Sequence, residues 1–251
     1  MRLDPSFLRL PLAHRALHGP GAPENSRAAV RAAVAAGYGI EIDLQLSADG
    51  AAMVFHDYGL ERLCGVPGTV RTTSAAALAA TPLLGSDEGV PTLNEVLSTV
   101  AGEVPLLIEL KDQDGAMGPD IGALEAAMAA ALAGYDGPVA VMSFNPHSVA
   151  RMAALAPHLP RGLTTSSYRV EDWPMGAARC DELRGIPDYA AVGACFISHE
   201  AADLDRPRVA ELKAAGADVL CWTIRNADQE AAARRVADNI TFEGYAPAIP
   251  G

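Results

Sequence analysis

The chain has little cysteine, almost no lysine and few aromatic residues, and each scarcity excludes something. Cys64, Cys180, Cys195 and Cys221 stand far apart with no C-x-x-C pair. A zinc knuckle, a redox dithiol or a disulfide scaffold is therefore not expected in a chain of 251 residues. No apolar run reaches the ~18 residues that a membrane span needs. The opening MRLDPSFLRLPLAHRA has no continuous apolar core, because Asp4 and Pro5 interrupt it. No secretory leader is expected, and a cytoplasmic location is the default. Positive charge is scarce as well: 19 basic residues against 31 acidic ones leave a net charge of −12. Such a surface does not attract nucleic acid, so an anionic ligand must be held by a local group of cations. Of the basic residues only Lys111 and Lys213 are lysines, which makes a lysine at a strand end more informative than usual. The composition is silent on oligomeric state.

What is present is an alternation of short apolar runs with alanine-rich helical stretches. Strands are expected over Leu12–Leu17, Gly39–Leu46, Leu106–Lys111, Val139–Phe144, Arg161–Thr165, Cys195–Ser198, Asp218–Ile224 and Ile240–Phe242. Ala52–His56 continues the second strand or pairs back on it across the Asp49-Gly50 turn. A helix over Asn25–Ala36 has Asn25 or Ser26 as its cap and Gly37 as its stop. Further helices are expected over Asp120–Ala133, after Asn145-Pro146, over Arg206–Ala215 and from Asn226 through Val236. The alternation argues for an α/β fold with a parallel sheet. Eight units in this length match a (β/α)8 barrel of TIM type. A doubly wound open sheet is the runner-up, but the glycine-rich turn expected after its first strand is missing. From Asp57 to about Val104 the rhythm breaks, over a length marginal for independent folding. That stretch reads as a small insertion after the second strand region, within one domain spanning residues 1–251.

Four polar clusters sit at the ends of apolar strands, the ends that form the active face of a barrel. The first is His14-Arg15; alone, such a histidine is more often structural, but the arginine offers a fork for phosphate or carboxylate. The second is Glu41 and Asp43. Residues two apart share one face of a strand, so both carboxylates project into the barrel while Ile40, Ile42 and Leu44 face the helices. The third is His56-Asp57, where Asp57 reads as the turn residue that opens the insertion. The fourth is Glu109 and Lys111, again on one face. Three carboxylates without a cysteine make a hard oxygen site, suited to Ca²⁺ or Mg²⁺ and open to Mn²⁺. A divalent cation with Arg15 and Lys111 suits a phosphate or phosphodiester, and two histidines suit acid–base work near neutral pH. His18, His147 and His158 are expected at the surface, and Met128, Met142 and Met152 in the core. His199-Glu200 is a candidate for the rim.

These clusters sit within stretches that resemble the glycerophosphodiester phosphodiesterase family. The stretches are HR at His14-Arg15, PENS at Pro23–Ser26, GIEIDLQLSADGAAMVFHD, VPTLNEVL, LLIELK, MSFNP and CWTIRN. They run in order from residue 12 to residue 226. The resemblance implies a (β/α)8 barrel with a small insertion after the HD motif. It implies Glu41, Asp43 and Glu109 as metal ligands, His14 and His56 as the acid–base pair, and Arg15 and Lys111 as phosphate contacts. Trp222 matches a tryptophan that lines the family's pocket; its bland reading is a core aromatic. Two departures stand out: Ala16-Leu17-His18 follows HR where the family has Gly, and Thr241-Phe242-Glu243-Gly244 stands where a Thr-Asp-Pro motif is usual. The second departure leaves Glu243 without an assigned role.

The expected activity is metal-dependent hydrolysis of a small glycerophosphodiester to glycerol phosphate and an alcohol. The alternatives are a lysophospholipase D-like enzyme or other phosphodiesterase acting on a lipid head group, and a non-catalytic phosphodiester-binding protein. A Schiff-base aldolase built on Lys111 is disfavoured, because neighbouring carboxylates raise a lysine's pKa.

Overall fold

The computed structural model describes residues 1–250. Nine strands form one sheet: β1 (Leu12–Ala13), β2 (Gly39–Leu46), β3 (Ala52–Val54), β4 (Leu106–Leu110), β5 (Val139–Ser143), β6 (Arg161–Thr165), β7 (Phe196–Glu200), β8 (Asp218–Ile224) and β9 (Asn239–Phe242). All but β3 are parallel, and β1 closes the ring by pairing with both β2 and β9. The result is the eight-stranded barrel. β3 folds back antiparallel on β2, pairing Leu44 with Val54. The hairpin alternative for Ala52–His56 is therefore the one that forms.

The helices follow from ordinary caps. α2 (Arg27–Ala36) starts where the Ser26 side chain accepts from Ala29 N–H, and stops at Gly37 in the left-handed region. α5 (Leu93–Val100) opens with a capping box between Thr92 and Glu95. α6 (Ala123–Leu132) and α7 (Pro146–Leu155) follow β4 and β5; Asn145 caps α7 and Pro146 takes its first position. α9 (Pro207–Ala214) and α10 (Ala227–Ala233) follow β7 and β8. The longest helix without a counterpart in the sequence reading is α8 (Ala177–Arg184), which has no amphipathic stripe and no side-chain cap. It is tied down from outside, by Arg184 donating to the carbonyls of Ser167 and Tyr168.

Alternation along each strand separates two apolar regions. Ile40, Ile42 and Leu44 face outward into the layer between sheet and helices, with Ala29, Val30 and Ala33 of α2. The other parity points into the barrel. At its N-terminal end Leu12, Leu107, Ala140, Phe196 and Leu220 pack together with Phe7 of the short α1 (Ser6–Arg9), which plugs that end. A Cβ on Gly162 would stand 2.5 Å from the Phe196 ring, so glycine is what lets that ring fill the lumen. Above this plug the inward positions turn polar, and there the site begins.

Between β3 and α5 lie α3 (Glu61–Cys64), a 3-10 turn and α4 (Ala75–Ala80). They pack round their own apolar cluster, which includes Phe55, Leu60, Val70, Leu78 and Leu83. α5 itself packs against α2 beside the barrel.

Candidate active site

The first strand is shorter than expected. After Ala13 the chain leaves the sheet, and Arg15 and Ala16 take left-handed conformations with φ of 53° and 64°. This turn aims the Arg15 N–H at Glu41 Oε2, at 2.9 Å. Glycine adopts that conformation without strain, which accounts for its usual place after HR in the resembling family; Ala16 adopts it here.

The four strand-end clusters converge. All eight residues singled out in the sequence, His14, Arg15, Glu41, Asp43, His56, Glu109, Lys111 and Trp222, line one pocket of about 180 Å³ at the C-terminal end of the barrel. Five more line it: Met142, Phe144, Thr223, Arg225 and Thr241. Met142, expected only as core, thus belongs to both the lumen and the pocket. Trp222 donates its indole N–H to the Ser198 carbonyl at 3.0 Å and meets Phe144 edge-on, so its ring forms wall.

At the floor, Glu41, Asp43 and Glu109 are 2%, 1% and 5% exposed, and one oxygen of each lies within 4.8 Å of the others. Lys111 Nζ reaches Asp43 Oδ1 at 2.8 Å and Glu109 Oε1 at 2.6 Å. Asn25 completes Asp43 by donating from Nδ2 to Oδ2 at 2.9 Å, which gives the PENS stretch a role at the site. Burial alone would raise the Asp43 carboxyl, but Lys111, His56 and Arg15 hold it well below the ordinary range. Glu41 is left over: burial, then the charges of Asp43 and Glu109, push its carboxyl well above that range. The floor is therefore short of one positive charge, placed among hard oxygen donors. That is the environment a divalent cation fits. Lys111 works against burial through the same carboxylates, which hold it as an ammonium and remove it as a Schiff-base nucleophile. Arg15 Nε is buried without a hydrogen bond and stands 3.7 Å from Asp43 Oδ2, which ties the guanidinium to the floor.

At the rim each histidine is held by a carboxylate. His14 Nδ1 lies 2.6 Å from Glu243 Oε2, and His56 Nδ1 lies 2.7 Å from Asp57 Oδ1. A carboxylate accepts, so both rings carry the proton on Nδ1 and leave Nε2 free. Burial pushes the His14 imidazolium below its ordinary range, and the Glu243 hydrogen bond opposes it only in part. Glu243 also takes Arg225 Nη2 at 2.7 Å and has His18 Nε2 at 3.8 Å. His18 thus turns toward the site instead of solvent. Asp57 does more than open the insertion, since it orients His56 and pairs with Arg62. Glu243, left without a role by the departure at Thr241–Gly244, is the carboxylate behind His14, while Arg225 and Arg62 were not singled out in the sequence. His199 is fully buried on the other strand face, bonded to Thr165, and lies outside the pocket.

These pairs imply a pH dependence of folding. The hydrogen bond from His14 and the nearby His18 ring hold the Glu243 carboxyl well below its ordinary range. Against burial, which acts upward, His56 and Arg62 do the same for Asp57. Each contributes stability that is complete above the ordinary carboxyl pKa and is lost as pH falls through the depressed one, because the unfolded chain binds the proton first. Below about pH 5 the wild-type melting temperature should fall more steeply than that of E243Q or D57N. Parallel curves for all three proteins would mean that neither pair forms.

A larger cavity of about 690 Å³ borders the same Trp222, Thr223 and Arg225 but holds none of the floor carboxylates. Among the described residues no helix is long and apolar enough to cross a membrane.

Comparison with known proteins agrees with this arrangement. Residues 14–239 match the model of the glycerophosphoryl diester phosphodiesterase family. A glycerophosphodiester phosphodiesterase of Caldanaerobacter subterraneus is 32% identical over 190 residues, which is 72% of this chain and 76% of that one. An uncharacterized protein of Bacillus subtilis, YqiK, is 36% identical over 163 residues; the match covers 61% of this chain and 65% of YqiK. Among solved structures, an Oleispira antarctica phosphodiesterase in complex with the product sn-glycerol-3-phosphate superposes with a TM-score of 0.74, at 27% identity over 93% of both chains.

Proposed function

The chain belongs to the glycerophosphoryl diester phosphodiesterase family, and from that premise we propose that it hydrolyses glycerophosphodiesters to glycerol phosphate and an alcohol by acid–base catalysis at His14 and His56. The observation that carries this reading is the pair of imidazoles, each fixed through Nδ1 by a carboxylate, at the rim of a pocket floored by three buried carboxylates. The product bound to the Oleispira antarctica phosphodiesterase supports the same substrate class.

Glu41, Asp43 and Glu109 would hold a divalent cation, Ca²⁺ or Mg²⁺ with Mn²⁺ also suited, which supplies a Lewis acid for a non-bridging phosphate oxygen. Arg15 and Lys111, both in the pocket lining, stabilise the charge that develops on phosphorus. His14, whose imidazolium is disfavoured by burial, takes the proton of the attacking hydroxyl on Nε2. His56, the more exposed ring, acts as the imidazolium, with Nδ1–H on Asp57, and gives its Nε2 proton to the leaving alcohol.

Phosphorus NMR of chelator-stripped protein with glycerophosphocholine tests this reading. Glycerol phosphate should appear only after Ca²⁺, Mg²⁺ or Mn²⁺ is added. Equal turnover in chelator would remove the cation from the reaction, and no phosphomonoester with any of the three would overturn the substrate.

One observation favours a second reading, in which the alcohol carries an apolar chain. The neighbouring cavity has Leu204, Ile224, Ala232, Ala233 and Val236 in its lining, next to Trp222. Faster turnover of a lysophosphatidylcholine than of glycerophosphocholine would select it, and the reverse would discard it.

A further inference from the structure

The insertion contributes no atom to the pocket lining, yet one of its side chains joins the two sides of the site. Arg62, on α3, spreads its guanidinium between two carboxylates. Nε and Nη2 donate to Asp57 Oδ2 and Oδ1 at 2.6 and 2.8 Å. Nη1 and Nη2 donate to Glu24 Oε2 and Oε1 at 2.9 and 2.7 Å. Each carboxylate then continues to a pocket residue. Asp57 Oδ1 holds His56 Nδ1 at 2.7 Å, and Glu24 Oε1 accepts from Arg15 Nη1 at 2.8 Å. The chain His56–Asp57–Arg62–Glu24–Arg15 links the rim histidine to the arginine beside Asp43.

Two properties of this chain point beyond fold stability. Half-exposed ion pairs contribute little to folding, and the Arg62 side chain is 48% exposed. A double fork, by contrast, fixes the planes of two carboxylates at once, which only a planar guanidinium can do; a lysine ammonium cannot fill four such donor positions. With both oxygens of Asp57 engaged by Arg62, the carboxylate has one orientation left in which to meet the His56 ring. With both oxygens of Glu24 engaged, the Arg15 guanidinium is held between Glu24, through Nη1 at 2.8 Å, and Asp43, with Nε 3.7 Å from Oδ2.

We propose that Arg62 is a positioning residue for the phosphodiester reaction, setting the ring of His56 and the guanidinium of Arg15 together through Asp57 and Glu24. The insertion thereby completes the site from outside it. The proposal rests on the roles given above to His56 and Arg15.

The test compares R62A and R62K with the wild type. Both variants should lose about 10- to 100-fold in kcat, as expected when reacting groups shift by a fraction of an ångström to an ångström. KM should change less, and the melting temperature should stay within a few degrees. Millimolar guanidinium ion should restore part of the R62A activity, whereas R62K should gain nothing from it. A readout independent of turnover is the ¹⁵N spectrum of the His56 ring at a pH where it is neutral. The wild type should show the Nδ1–H tautomer, and R62A a mixture of tautomers. Wild-type kcat in both variants would overturn the proposal, as would an unchanged His56 tautomer in R62A. Should R62A not fold, R62K carries the comparison. A wild type inactive on every phosphodiester would remove the functional reading, while the tautomer comparison would still decide whether Arg62 orients His56.

Discussion

His14→Ala and His56→Ala each lower kcat on glycerophosphocholine by about 10²–10⁴, but they separate on a substrate with a good leaving group. A p-nitrophenyl phosphodiester departs without needing a proton, so removal of the group that protonates the leaving oxygen is masked. H56A should therefore recover most of its loss on that substrate, and H14A should not. The asymmetry follows from the surroundings of the two rings. His14 is the less exposed ring, with burial acting against its imidazolium, and Glu243 behind it stabilises the imidazolium that forms when Nε2 takes a proton. His56 stands nearer solvent with Asp57 behind it. Equal recovery in both variants would deny the two histidines distinct roles, and full activity in either would remove that residue from the reaction.

Glu41→Gln should act on stability and on activity in opposite directions. The side chain keeps its size, and its oxygen can still accept from the Arg15 N–H. What it loses is a charge that burial, Asp43 and Glu109 all oppose. In chelator the variant should melt a few degrees above the wild type, because it removes a buried charge that its surroundings oppose. Added Ca²⁺ or Mg²⁺ should then raise the wild type, by about 2.7 kcal/mol at a hundredfold excess over Kd, and leave E41Q nearly unmoved. Cation-dependent turnover of the variant should fall by about two to three powers of ten. Thermal unfolding with and without the cation reads both effects. A lower melting temperature for E41Q in chelator, or the same rise with cation as the wild type, would mean that Glu41 is not a ligand.

The two experiments touch different kinds of information in the chain. The floor was legible because strand periodicity is a local rule. A step of two residues from one Cβ to the next on the same face is enough to put Glu41 with Asp43 on the inward side of β2, and Glu109 with Lys111 on that side at the end of β4. The barrel was legible for a similar reason, since caps, stops and alternating apolar runs repeat along the chain. Boundaries were less so. β1 ends at Ala13 because the left-handed turn at Arg15 and Ala16 takes the backbone to Glu41, and no apolar pattern announces that. α8 was not legible at all, since its hold on the fold comes from Arg184 reaching carbonyls elsewhere.

The barrel class, the inward carboxylates and the family can be read along the chain, because each depends on spacing within a strand or on the order of short motifs. The groups that support them are brought together by folding. Glu243 meets His14 across 229 positions of chain, when the last strand closes against the first. Arg62 meets Glu24 across 38 positions because the insertion folds back over the PENS loop. Such partners are chosen by the closure of the ring and the packing of its loops, and a carboxylate or guanidinium carries no local sign of which distant group it will face.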